Sequence, residues 1–133
     1  MTLVTSSRKP SPEVRKLAKE IAFALDLPYV QRGKTGLRRM DAEDSVIIFL
    51  SSAKRGGQIF ALTVKGQIVF SMLITNVVTS RRTEPFHHGF VIREHELYDV
   101  LSPHFPVIFD VDALGPIVFS GTQKMQYILQ VMV

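Results

Sequence analysis

VTSSRKPSPEV, residues 4–14, compresses the end of a strand, a cluster of hydroxyls and cations, and the start of a helix into one stretch. Leu3-Val4-Thr5 is a short apolar and β-branched run that stops at turn residues, the pattern of a first strand. Ser11 offers a side-chain oxygen to the free amides of a first helical turn. Pro12 suits the first helical position, where no N–H is needed, and Glu13 complements the positive end of the dipole. Val14, Leu17, Ala18, Ile21 and Leu25 then follow the spacing of one buried stripe, with Arg15, Lys16 and Lys19 off it. The spacing predicts a helix over 12–25, stopped at Leu27-Pro28 because proline disfavours helical geometry in the residue before it.

Working outward, Pro28-Tyr29-Val30 reads as a second short strand, followed by a basic loop over 31–36 and a short helix from Leu37 to Glu43. Ser45 to Ser51 (SVIIFLS) is a nearly continuous apolar run, as expected of a central strand covered on both faces. Lys54-Arg55-Gly56-Gly57 is a turn, and 58–64 and 67–75 read as strands joined at Lys65-Gly66. A hairpin or meander therefore follows a βαβ-like unit. Arg81 to Gly89 reads as loop, 93–101 as a helix with Leu97, Val100 and Leu101 inward, and 107–111 and 127–133 as strands. Gly115 to Lys124 gives no clear pattern. The fold class is α/β (α+β), with mixed β-sheets and packed helices, and the 133 residues are expected to form a single domain.

With 46% hydrophobic and 21% charged residues the chain can fold, and it is long enough to bury a core without covalent staples. It has no cysteine, which excludes a disulfide scaffold, a thiolate metal site and a thiol nucleophile. No apolar run is long enough to span a bilayer and no signal-peptide pattern opens the chain, so a soluble, cytoplasmic protein is expected, without a membrane partner. Charge is uneven. Residues 1–39 carry nine Lys and Arg against three acids, a balance of +6 that leaves −2 for the remainder of a chain whose net charge is +4. Such asymmetry suggests that the basic part faces a polyanion; a solvated, solubilising face is the plainer explanation.

Two enzyme readings can be weighed on spacing. Gly33-Lys34-Thr35 has the end of a phosphate-binding loop, but the glycine that such a loop needs at position 28 is Pro28. His87, His88 and His95, with Glu94, Glu96, Asp110 and Asp112, suggest a metal-dependent hydrolase acting on RNA, although no ligand spacing of a known kind occurs and adjacent histidines in extended chain point apart. Asp110 and Asp112 would fall on one face of the 107–111 strand. A third alternative is a protein-interaction module whose β-rich second half docks on a partner without RNA contact.

TSSRKPS at 5–11, the basic helix after it, and YVQRGKTGLRRM at 29–40, in this order and separation, resemble the N-terminal signature of Brix-domain ribosome biogenesis proteins, compact archaeal type. Close cover is the first third of the chain, with Gly115-Pro116 before an apolar run as a looser match. The resemblance implies two similar halves, each like the anticodon-binding domain of class II aminoacyl-tRNA synthetases, divided near 1–75 and 76–133. An echo between LVTSSRKP (3–10) and VVTSRRTEP (77–85) is what such a duplication would leave. It also implies a role in binding ribosomal RNA or its precursor during pre-rRNA processing and subunit assembly. A non-catalytic factor with neither metal nor cofactor is expected, with ribosomal or assembly proteins as further partners. The expected RNA-binding set is Ser6, Ser7, Arg8, Lys9, Ser11, Arg32, Lys34, Arg38 and Arg39. If the strands at 2–5 and 29–32 are neighbours, both basic loops emerge at one edge.

Overall fold

The computed structural model describes residues 2–31 and 46–133. The predicted helix from Leu37 to Glu43, the Gly33-Lys34-Thr35 run, and Arg32, Lys34, Arg38 and Arg39 lie outside the described residues. The rest is an α+β fold built on one mixed eight-stranded sheet in the order β1-β2-β3-β4-β8-β7-β5-β6. The strands are β1 (Thr2–Ser6), β2 (Val46–Ser52), β3 (Gln58–Val64), β4 (Gln67–Arg81), β5 (Phe90–Ile92), β6 (Val107–Phe109), β7 (Ile117–Ser120) and β8 (Met125–Met132). Two helices, α1 (Pro12–Leu25) and α2 (His95–Leu101), complete it. β1 and β2 run parallel, β5 and β6 run parallel, and every other pairing is antiparallel.

The stripe read from the sequence is the buried face of α1: Val14, Leu17, Ala18, Ile21 and Leu25 are all in the core. Ala22 and Ala24 are buried with them, and like Ala18 their small side chains let the helix lie close on the sheet. Its ends are made locally. The Val14 amide donates to Ser11 Oγ at 3.2 Å, and Asp26 closes the C-terminus in the left-handed conformation at φ 55°. Replacing Ser11 with alanine is expected to cost about 1 kcal/mol in urea unfolding, with the helix otherwise retained.

β4 is the element that joins the sheet into one. Its 15 residues pair first with β3, as far as Ile74, and then with β8 out to Arg81. Leu73 and Ile74 pair on both sides, and a register shift in the β4–β8 ladder follows between Ile74 and Asn76, where the Thr75 hydroxyl donates to the Gln130 carbonyl at 3.2 Å. The strand expected to stop at residue 75 thus continues through that bulge, and the loop expected from Arg81 begins one residue later. The sequence echo falls in different places: residues 3–10 close β1 and lead into α1, whereas 77–85 close β4 and precede β5, not α2. Val4 forms a parallel bridge with Tyr29 after α1, and β5 pairs in parallel with β6 after α2.

Three further differences have physical causes. β5 and β7 are too short to show a period, and their pairing with each other and with β6 and β8 defines them. β6 ends at Phe109, because Asp110 Oδ1 accepts from the Asp112 amide at 2.9 Å and turns the chain; the two carboxylates do not share a strand face. Val100 is 39% exposed, while Leu97 and Leu101 are buried as expected. Among the described residues no helix is long and apolar enough to cross a membrane.

Candidate nucleic-acid interface

The backbone after β1 is pinned before it reaches its cations. The Thr5 hydroxyl donates to the Val30 carbonyl at 2.6 Å, and the Ser7 amide donates to the Leu50 carbonyl at 3.0 Å. Ser6 was expected on the surface; it is 1% exposed, and its hydroxyl shares a 2.8 Å hydrogen bond with the Tyr29 hydroxyl. β1 runs one residue further than its apolar run suggests, and that residue is drawn inside. Ser7 is half-buried, Arg8 and Lys9 are exposed, and Lys9 takes φ 49°, turning the chain into Pro10 and the Ser11 cap. Ser11 therefore occupies one of the free amides that an anion could otherwise use.

The neighbour condition is met. Val4 pairs in parallel with Tyr29, with Val4 N donating to the Pro28 carbonyl and Val30 N to the Val4 carbonyl, both at 2.9 Å. The chain at Gln31 accordingly leaves the sheet at the end where β1 delivers Arg8. β2, parallel to β1 on its other side, sends its turn to the same end, so exposed Lys54 and Arg55 arrive there too. The sequence marked these two only as a turn; what identifies them is the parallel β1–β2 pairing, which places the C-terminal ends of β1 and β2 on one rim.

The exposed face of α1 continues this surface. Arg15, Lys16, Lys19, Pro10 and Pro12 line a cleft of about 490 Å³ whose far wall is Thr122, in the β7–β8 turn. The Lys19 ammonium lies 5.8 Å from the centre of the Tyr29 ring, so Tyr29 braces Ser6 with its hydroxyl and Lys19 with its face. Among the described residues the ion pair is His95 with Asp99 at 3.2 Å, and none of Arg8, Lys9, Arg15, Lys16, Lys19, Lys54 and Arg55 is neutralised by a carboxylate.

Glu20, at the base of the cleft, is buried and committed elsewhere: its carboxylate accepts from the Thr122 amide at 2.8 Å and from the Thr122 hydroxyl at 2.6 Å. These bonds tie α1 to the β7–β8 turn, and Gly121 has no room for a side chain against the Tyr127 ring and Glu20. Burial, reinforced by the neighbouring Glu20 charge, pushes the Tyr127 phenol up to about 12. A pKa raised in the folded state contributes stability that is complete below the unfolded value near 10 and is lost as pH rises through 10–12. Urea unfolding at stepped alkaline pH is expected to show a decline across that window that is shallower in Tyr127→Phe.

The histidine cluster does not assemble. Phe86 and His88 meet edge to face at 4.8 Å, His95 is paired with Asp99, and among the described residues no three His, Asp or Glu side chains gather to hold a metal ion.

No protein-family model matches this sequence, and no curated protein matches it. Solved structures do. The archaeal Imp4-like protein Mil (Mth680) superposes with a TM-score of 0.65 at 16% identity, covering 100% of this chain and 99% of that one. The fold is that of an Imp4-like protein. A probable ribosomal biogenesis protein from Aeropyrum pernix K1 superposes with a TM-score of 0.68 at 16% identity, over 98% of this chain and 94% of that one. These structural neighbours of the Imp4-like, Brix-domain fold coincide with the resemblance carried by TSSRKPS and YVQRGKTGLRRM.

Proposed function

We propose that this chain is a non-catalytic ribosome-assembly factor that binds ribosomal RNA or its precursor in the cytoplasm during processing and subunit assembly. One observation carries the reading: cations from separate segments, none of them paired with a described carboxylate, lie at one rim of a sheet whose fold is shared with a probable ribosomal biogenesis protein. Arg8, Lys9, Lys54 and Arg55 neutralise phosphates, a contact that depends on salt and carries little sequence information. Arg32, Lys34, Arg38 and Arg39 belong to the same proposed RNA-binding set, and the chain at Gln31 leaves the sheet for their segment at this rim. Ser7 and Ser11 supply hydroxyls at its edge, and Ser6 supports it from inside by holding Tyr29. Arg15, Lys16 and Lys19 add a basic wall.

The architecture fits two similar halves, each like the anticodon-binding domain of class II aminoacyl-tRNA synthetases: strand, helix and parallel outer strand recur as β1–α1–Tyr29 and β5–α2–β6. Cross-linking the purified protein in cell extract tests the function. Ribosomal RNA as the main adduct is the expected result; adducts to protein alone favour the interaction module, and metal-dependent cutting of RNA that His88→Ala abolishes favours the hydrolase.

A further inference from the structure

The other end of the sheet's strand order has the opposite character. Between Arg93 and Lys124 the chain carries five acids, Glu94, Glu96, Asp99, Asp110 and Asp112, and no Lys or Arg. This stretch holds β6, which pairs with β5 on one side and with no other described strand. The Phe90 amide donates to the Pro106 carbonyl and the Asp110 amide to the Ile92 carbonyl, so alternation turns the amides and carbonyls of Val107 and Phe109 away from β5. Around that open edge Ile108 is 50% exposed, Phe109 40%, Val111 66% and Leu114 69%. The Phe109 ring stands against His95 at 5.2 Å and Tyr98 at 6.0 Å, forming an aromatic step on the helix side, with Ile108 on the opposite face.

We propose that β6 takes up a basic, extended polypeptide segment as an additional strand, its apolar residues on Ile108 and Phe109 and its cations against Asp110, Asp112 and Asp99. Unpaired backbone groups provide affinity in strand addition, and alternate side chains provide selectivity. The charge selects the occupant. RNA would bring phosphates to Asp99, Asp110 and Asp112, and a second copy docked edge to edge would bring the same acids together. Pro106 and Asp110 bracket the strand and already discourage such self-pairing. The surface is separate from the basic rim, so the assembly factor would hold RNA with one end and a cationic protein segment with the other.

The test uses the full chain and an end-blocked fluorescent peptide in which lysine and isoleucine alternate. Binding is expected in the micromolar range, with amide NMR shifts centred on Val107 and Phe109, and roughly tenfold weaker in Asp110→Lys/Asp112→Lys. The same peptide with N-methylated isoleucines keeps its charge but cannot donate to the edge, and it is expected to bind at least about tenfold more weakly. Absence of binding, equal binding of the N-methylated peptide or of a glutamate-for-lysine peptide, or concentration-dependent pairing of the chain through β6 would overturn the proposal. Arg8→Glu leaves peptide affinity unchanged, which separates this surface from the RNA reading.

Discussion

Reversing charge at Arg8 and Arg32 together, with glutamate at both positions, is expected to weaken binding to a ribosomal RNA fragment by roughly 10- to 100-fold and to lower the salt slope by about two. Arg8 is exposed, it sits on a turn pinned by the Ser7 amide, and no described carboxylate pairs with it, so its charge is available to phosphate. Circular dichroism and melting temperature should be unchanged, because the side chain contributes no burial. Adding Arg55→Glu should weaken binding further, since β2 delivers that turn to the same rim. Filter binding across a salt series reads all of these, and an unchanged affinity and slope would remove the residues from the site.

Phe119→Ala is expected to produce the largest loss of stability, about 3–5 kcal/mol. Phe119 is 1% exposed, stacked on Tyr127 with ring centroids 5.0 Å apart and 3° between planes, and 5.4 Å from Phe90. Phe90 in turn meets Phe105 edge to face at 5.5 Å. Removing the central ring leaves a cavity bounded by three elements that cannot all collapse. A fall in melting temperature of roughly 10–20 °C should follow, against a change within about 0.5 kcal/mol for Ile68→Ala on the exposed end of β4. A small shift for Phe119→Ala would mean that the aromatic cluster does not hold β5, β7 and β8 together.

What the sequence disclosed is what local chemistry determines. Ser11, Pro12 and the apolar stripe define α1 without reference to anything distant, and the run in SVIIFLS marks β2 by composition alone. Residues whose role depends on a remote partner left no such mark. Glu20 reads as one more charge on a basic helix, and its partner Thr122 is 102 positions away. Ser6 reads as a surface hydroxyl until Tyr29 is placed beside it. Lys54 and Arg55 join the basic rim only through the parallel pairing of β1 with β2. β5 and β7 are three and four residues long, too short for a period of two to register, and their neighbours in the sheet give them existence.

The convergence of basic turns is tested most directly by ultraviolet cross-linking of the intact protein to precursor ribosomal RNA, with the modified peptides identified by mass spectrometry. Nucleotide adducts concentrated on residues 7–19, 32–39 and 54–55 are the predicted result. Adducts spread evenly over the surface, or gathered on residues 94–114 beside the acidic edge, would contradict it.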